Sequence, residues 1–341
     1  MKQLSGLDAM FLYWETEGAS MHTAMVHVYD PATAPEGQVD FATVREHLRQ
    51  CLPLSNMFRQ RLAPVPLHLD HPYWIQDPDF DLNKHVRKVD LAEPSWEAYC
   101  QLIAELHAQP LKRDRPLWEL IYIDGLGGVR DFPPGAFALM LKMHHAAIDG
   151  ASSAGIVAGL HDLQPDTQRK VLADTFVAEA PPSTAELLLR SIGNNLRAPI
   201  RLAGPVQRLL PGVVRNLRQR GKGDATTQRR GPKTRFNGRV KAERIYEARE
   251  YPLAELSAIR KAVPGATVND VILCLSSGGI RAYLQYKSEL PPESLIGMVP
   301  ISTRGEGPAD GGNEVTLMML PLHTEIGDPL QRLAAIVRES A

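Results

Sequence analysis

The sequence lacks several features that mark exported or membrane-spanning proteins. Its three cysteines, Cys51, Cys100 and Cys274, are odd in number and far apart, and no Asn-x-Ser/Thr glycosylation site occurs. There is no run of about 18 apolar residues and no apolar N-terminal segment of signal-peptide length. These absences argue against a disulfide framework, and we expect a cytoplasmic protein that does not span a membrane.

The composition is that of a globular protein. The chain has 341 residues, of which 44% are hydrophobic and 23% are charged. This length exceeds one ordinary core, so we expect two domains of roughly 150 residues each. The formal net charge of -1 gives the protein as a whole no reason to bind nucleic acid.

Positive charge is concentrated in one segment of the chain. Fifteen of the 38 lysines and arginines, but only two of the 39 acidic residues, lie between Arg190 and Arg244. Apolar residues interleave with arginines there, a pattern typical of basic amphipathic helices on an anionic membrane or a lipid-inclusion surface. An interdomain helix with a solvated face fits the pattern equally well. Nucleic-acid binding is disfavoured because the segment contains no recognised nucleic-acid-binding module.

Helices and strands alternate without internal repeats, which predicts an α/β layer for the first half. We predict an N-terminal domain over 1–180, a basic crossover helix and loop over 181–240, and a C-terminal domain over 241–341. That second domain ends within a predicted helix, so we expect it to be incomplete. The predicted strands are 21–29, a proline-broken edge segment over 58–74, 116–123, 137–143, 244–251, 296–301 and 315–322. The predicted helices are 8–15, 41–51, 97–108, 151–160, 253–262, one capped by Thr267, and one near 330–337.

One predicted strand ends in two histidines. Residues 137–143 are apolar except for Lys142, and His144 and His145 follow directly. Adjacent strand residues point to opposite faces, so we expect one histidine to face a site and the other to face structure. Asp149 and Gly150 then predict a turn into a helix of small residues. A buried histidine is usually structural, but this position also suits a general base.

The segment HHAAIDG, from His144 to Gly150, resembles the HHxxxDG signature of the CoA-dependent acyltransferase superfamily. Six elements in order resemble the bacterial wax ester synthase/diacylglycerol acyltransferase family. They are LSGLDAMF near the N terminus, PLW ending at Trp118, HHAAIDG, Asn269-Asp270, PISTR ending at Arg304, and Gly312-Asn313. The resemblance implies a two-domain, chloramphenicol acetyltransferase-like α/β (α+β) fold. Members of the family usually continue through further strands, so the second domain is expected to be truncated.

The resemblance also implies a reaction. A fatty acyl group would pass from acyl-CoA to diacylglycerol or a long-chain alcohol, with His145 as general base and no cofactor or metal. His144 would support it, and Gly150 would allow close backbone approach. We expect no acyl-cysteine intermediate, because no histidine lies near the cysteines in the sequence.

Other positions are expected to bind or support. Asp149 would hold its loop by pairing with Arg304, with Arg59 as the other candidate partner. Asn269 is a candidate oxyanion donor at a helix start. The remaining candidates for binding or structural roles are Trp118, Asp270 and Asn313.

Three alternatives remain open at this point. A condensation domain acting on carrier-protein substrates would use the same histidine. A non-catalytic lipid-surface protein would explain the basic segment without needing His145. A metal hydrolase using His144, His145 and Asp149 is the weakest, because adjacent strand histidines diverge.

Overall fold

The computed structural model describes residues 1–34, 37–148, 150–162, 173–197, 231–302 and 315–340. The chain divides into two compact units. The first contains the described residues up to 197 together with Val240–Glu247, and the second contains the remaining described residues from 231 onward. The predicted domain boundaries at 180 and 240 stay predictions.

The first unit contains five of the described helices and two sheets. Its helices are α1 Gly6–Trp14, α2 Phe41–Cys51, α3 Trp96–Ala108, α4 Gly150–Leu160 and α5, residues 184–197. Its strands are β1 Lys2–Gln3, β2 His22–Tyr29, β3 Gln60–Ala63, β4 Tyr73–Gln76, β5 Val86–Asp90, β6 Trp118–Asp124 and β7 Phe137–His144. Short 3-10 helices occur at Pro31–Thr33, Leu52–Leu54, Asn56–Phe58, Pro66–His68 and Leu82–Lys84.

Side-chain caps begin three helices of the first unit. Ser5 accepts a hydrogen bond from the Asp8 backbone N–H to begin α1. Asp40 caps α2 and Ser95 caps α3 in the same way. The predicted bounds of α2 are confirmed, because its apolar residues recur at helical spacing behind an acceptor side chain.

The larger sheet has the strand order β2-β7-β6-β5. Strand β7 pairs antiparallel with both β2 and β6, so the predicted pairing of the PLW strand with the histidine strand is confirmed. Strand β5 runs parallel to β6. One face of this sheet packs on α2 and α4, and the other packs on α3. The histidine strand is therefore central and covered on both faces.

The smaller sheet of the first unit has the order β1-β4-β3. The predicted edge segment over 58–74 is wrong as one strand, because its prolines split it into β3 and β4. Strand β3 lies at the edge, as predicted, whereas β4 lies in the middle and pairs with both neighbours.

The second unit pairs helices with a two-stranded antiparallel sheet. Its helices are α6 Leu253–Lys261, α7 Val268–Tyr286 and α8 Pro329–Ser340, its strands are β8 Ile296–Ser302 and β9 Val315–Pro321, and a 3-10 helix spans Arg235–Asn237. Helices α7 and α8 share a core with Leu320 of β9. Across the described ranges, no helix is both long and apolar enough to cross a bilayer.

The predicted strand over 244–251 is wrong. Residues 240–247 run along the first unit without joining a sheet. They are held by side chains: Arg244 donates to the Gly18 carbonyl at 2.9 Å, and Trp96 donates to Glu247 at 3.0 Å. Tyr246 meets Tyr99 edge to face. An alternating pattern thus marks an extended segment that has no ladder partner.

Candidate active site

The histidine pair sits where β7 ends and the chain turns. His144 is the last strand residue, and its backbone N–H donates to the Leu117 carbonyl at 3.0 Å. The His145 N–H donates to the Met21 carbonyl at 2.9 Å, and the Ala147 N–H closes the turn onto the His144 carbonyl. Both neighbouring chain segments therefore fix the backbone of the pair.

The His144 ring is enclosed, with 1% of its surface exposed. Its Nδ1 accepts a hydrogen bond from the Ala146 backbone N–H at 3.0 Å. Because Nδ1 accepts, the ring proton resides on Nε2, which faces the Glu15 carboxylate at 3.6 Å. Nδ1 is therefore engaged by the backbone, and Nε2 is buried beside Glu15 without a hydrogen bond of ordinary length.

Glu15, just after α1, links several parts of this turn. Arg113 donates to its carboxylate and, at 2.9 Å, to the Leu12 carbonyl. The Met21 N–H donates to the other carboxylate oxygen at 3.1 Å. Burial would raise the pKa of Glu15, but His144, Arg113 and Met21 outweigh it and lower the pKa to about 2. The carboxylate is therefore a permanent anion beside His144.

His145 has a different environment from His144. Its ring is half-buried and stacks on Phe11 of α1, with 5.1 Å between ring centroids. Burial lowers the pKa of His145 below its ordinary value of 6.5, and the neighbouring His144 lowers it further. The imidazole is thus neutral near pH 7 and able to accept a proton.

The PLW element supports the same strand end. Trp118 is 1% exposed, stacks on His85 at 4.6 Å and donates its indole N–H to the Phe58 carbonyl at 2.9 Å. It lies opposite Met143 in the β6–β7 ladder. The side chain is therefore a core residue whose one donor is satisfied.

Comparison with known proteins identifies the chain. Residues 4–272 match the model of the wax ester synthase/diacylglycerol acyltransferase catalytic domain. The chain belongs to this family. The predicted family is confirmed.

Relatives from Mycobacterium tuberculosis support the assignment. One, named for diacylglycerol O-acyltransferase activity, is 33% identical over 98% of this chain and 70% of its own length. Another with the same name is 31% identical over 98% of this chain and 65% of its own length. The chain therefore spans about two thirds of the length of these relatives.

Two solved structures share the fold. A wax ester synthase/diacylglycerol acyltransferase from Marinobacter aquaeolei VT8 superposes with a TM-score of 0.65 at 21% identity, covering 99% of this chain and 71% of its own. The first condensation domain of the calcium-dependent antibiotic synthetase gives 0.58 at 17% identity, covering 100% and 73%. The predicted α/β CoA-dependent acyltransferase fold is confirmed.

Several predicted site residues of this acyltransferase lie outside the described residues. They are Asp149, Arg304 and Asn313, so the proposed Asp149–Arg304 pair stays a prediction. Arg59, the other candidate, is buried, pairs with Asp174 at 2.8 Å and lies over the Phe176 ring. Gly150 is the first residue of α4.

Asn269 and Asp270 lie in the first turn of α7, in the second unit. Thr267 and Asp270 form a capping box, in which each side chain accepts from the backbone N–H of the other. Burial would raise the pKa of Asp270, but hydrogen bonds from Thr267 and Ser340 outweigh it and lower the pKa. Asp270 therefore caps α7 and ties it to the end of α8, whereas Asn269 is exposed.

One expectation about the cysteines is wrong. Cys51 does have a histidine nearby, because His47 lies one helical turn earlier on α2 and places Nε2 at 3.7 Å from the thiol. All three cysteines are nevertheless buried, and burial raises the pKa of Cys100. A protonated, buried thiol is a poor nucleophile.

Three residues at this site were not predicted from the sequence: Phe11 and Glu15, whose side chains lie against the histidine pair, and Arg113, which holds Glu15. Phe11 belongs to the LSGLDAMF element, and Glu15 follows it closely. That element was a usable signal, since its Ser5 cap fixes the helix that carries Phe11. Arg113 is 98 residues away from Glu15, so only the folded chain shows the pairing.

Proposed function

We propose that the protein transfers a fatty acyl group from acyl-CoA to the hydroxyl of a diacylglycerol or a long-chain alcohol. The observation that supports this proposal most directly is the state of His145, a neutral imidazole whose backbone is fixed at the end of β7. The family and the names of the M. tuberculosis relatives support the choice of substrates. No cofactor is needed, since the thioester already activates the acyl carbon.

His145 acts as the general base. An alcohol is a weak nucleophile at neutral pH, so the imidazole takes its proton while the oxygen attacks the thioester carbonyl carbon. The tetrahedral intermediate then collapses, the carbon–sulfur bond breaks, and the imidazolium protonates the departing CoA thiolate. Because one group supplies both proton transfers, no acyl-enzyme is formed.

His144 and Glu15 position the base. His144 Nε2 faces the Glu15 carboxylate at 3.6 Å and Nδ1 accepts from the Ala146 N–H. Because the ring is 1% exposed, it presents neither nitrogen to a substrate. We assign it the supporting role. The base itself is held by Met21 through the backbone and by Phe11 through ring stacking.

The experiment measures ester formation from labelled palmitoyl-CoA with diacylglycerol and, separately, with hexadecanol as acceptor. The protein should form triacylglycerol, wax ester or both, and His145→Ala should form neither. His68→Asn is the matched control, because His68 is exposed and asparagine tolerates its positive φ. Activity with an acyl-carrier protein but not with acyl-CoA would favour a condensation-type reaction instead.

The protein also contacts lipid surfaces peripherally. On α5, Leu189, Ile192 and Leu196 are 71%, 55% and 75% exposed and share one helical stripe. Arg190 and Arg197 lie on the same helix. Exposed apolar residues beside arginines suit an interface with anionic headgroups, at roughly 1 kcal/mol per basic residue near the surface.

Vesicle flotation tests this contact. Binding should require anionic lipid and weaken as salt is raised. The double change Leu189→Ser and Ile192→Ser should reduce binding, whereas Val177→Ser, at another exposed apolar position, should not. Binding without any dependence on salt or on these two residues would contradict the proposal. If His145→Ala bound vesicles and wild type formed no ester, the non-catalytic alternative would stand.

A further inference from the structure

A cavity of about 280 Å³ lies inside the first unit, between α2, α4 and the sheet. Leu139 and Leu141 of β7 form its floor, Leu48 of α2 one wall, and Val157 and Leu160 of α4 another. The described lining residues include three histidines, His27, His47 and His161, but no aspartate, glutamate, lysine or arginine. Because most of the lining is aliphatic or aromatic, it suits an uncharged chain better than the phosphates of CoA.

The cavity is on the same sheet face as a row of side chains that leads to the histidine turn. Leu139, Leu141 and Met143 alternate onto this face, where they pack in one core. The strand from Leu141 to His145 covers about 13 Å at its usual rise. Met143 is the strand residue between them, and an unbranched methionine adapts its shape readily.

Aromatic rings close the far end. Tyr122, Phe137 and Tyr29 stack at 5.0 Å spacings, and His161 stacks on Tyr29 at 5.8 Å. The Tyr29 hydroxyl is hydrogen-bonded to His161 Nε2, and His161 Nδ1 to the Val157 carbonyl. Burial raises the pKa of Tyr29 to about 12, so the phenol keeps its proton as donor. These bonds tie the end of α4 to β2.

We propose that this cavity binds the distal part of the fatty acyl chain, which passes Met143 from the thioester at His145, and that the Tyr29–His161 pair sets the maximum chain length. The inference rests on the proposed function and deepens it. The volume lies at the lower end of the usual range for ligand pockets, so it holds one alkyl chain and not both chains of a diacylglycerol. The acceptor must therefore bind elsewhere.

Filling the cavity tests the proposal through chain-length preference. Val157→Phe should lower kcat/KM for palmitoyl-CoA by roughly 10- to 200-fold, because surplus volume in a hydrophobic pocket has effects of this size. Butyryl-CoA is too short to reach Val157. Its kcat/KM should therefore change by about twofold at most, well under that range. Val28→Phe is the matched control, since it adds the same bulk at a 38% exposed position outside the cavity.

Opening the far end gives the opposite change. His161→Ala removes the partner of Tyr29. Donors longer than palmitoyl-CoA should then be used better, so that their kcat/KM divided by the kcat/KM for palmitoyl-CoA should rise. Equal losses for all donors in both variants, or an unchanged preference, would overturn the proposal. Thermal unfolding of each variant shows whether it is folded. If one of the two variants is not, the chain-length preference of the other tests the proposal.

Binding separates this proposal from the proposed function. A palmitic acid with a diazirine at its methyl end should label peptides containing residues 137–141 or 157–161, and Val157→Phe should abolish that label. If wild type transfers no acyl group yet shows this label, the cavity stands as an alkyl-chain site and the transferase proposal fails. If transfer occurs but labels fall elsewhere, the cavity proposal fails alone.

Discussion

The two faces of the larger sheet differ in chemistry although one strand supplies both. Towards α3, β7 presents Lys142 and His144, which are buried and hydrogen-bonded to fixed partners. Towards α2 and α4 it presents leucines and a methionine beside an apolar cavity. Because strand side chains alternate, one segment can be a rigid polar support on one face and an adaptable surface on the other.

The polar face is held by helix ends. Lys142 is fully buried and donates to the carbonyls of Leu106 and Gln109, at the C-terminal end of α3. A cation there satisfies carbonyls that the helix leaves unpaired. Burial lowers the pKa of Lys142 to about 8, and the nearby Glu119 carboxylate opposes that shift. The polar face therefore stabilises the strand, and the apolar face carries the cavity that we propose for the acyl chain.

The largest effect should separate the two histidines. His145→Ala should lower kcat/KM by on the order of 100-fold to 10,000-fold, the usual contribution of a positioned base. His144→Ala should lower it less, and should instead reduce stability by removing the acceptor of the Ala146 N–H. Steady-state kinetics and urea unfolding on both variants measure the two effects. Equal activity losses in the two variants, both folded, would contradict the assignment of His145 as the base and His144 as a supporting residue.

The second largest effect concerns the Glu15 carboxylate, which lies beside His144. Glu15→Gln keeps the shape but removes the anion that Arg113, Met21 and His144 face. The free energy of unfolding should fall by about 1.5–3 kcal/mol, the value of a hydrogen bond to a charged group. Activity should fall less than in His145→Ala, since the base itself is retained.

A matched control exists on the surface. Glu46 also pairs with an arginine, Arg49, but both side chains are at least half exposed. Glu46→Gln should change stability little, because solvent screens exposed ion pairs. Urea unfolding at pH 7 compares the two. A loss no greater for Glu15→Gln than for Glu46→Gln would show that the histidine turn does not depend on this anion.

Local signals predicted much of the fold correctly. Helix α2 follows from its apolar spacing, and α7 from Thr267, whose side chain caps it as predicted. The strand ending at His144 follows from a short apolar run after breakers. In each case the residues that decide the element are neighbours in the sequence.

Contacts between distant residues could not be predicted this way. Glu15 and Arg113 are in contact although they are 98 residues apart in the sequence. Phe11 and His145 are in contact over an even larger separation. A strand was predicted over 244–251, but a strand needs a neighbour to pair with, and the sequence carries no local sign of one. The pairing of His47 with Cys51 is different, because positions four apart on the predicted helix over 41–51 lie side by side, so the sequence did contain this contact. The motif located the histidines, and the folded chain showed what holds them.

The smallest effect is a pH dependence of stability on the polar face. His22 lies opposite His144 in the β2–β7 ladder and is hydrogen-bonded through Nε2 to the His107 carbonyl at 2.8 Å. Burial, then the charge of Lys142, lowers the pKa of His22 to about 4 from its ordinary 6.5. As pH falls below 6.5 the unfolded chain takes up this proton first, so the stability present above 6.5 is lost towards pH 4. His22→Gln keeps a donor for the carbonyl but cannot titrate, so urea unfolding should show a shallower decline of stability with falling pH than in wild type. The control is His68→Asn, at an exposed position whose positive φ asparagine tolerates. Identical slopes for wild type and His22→Gln would contradict the assignment.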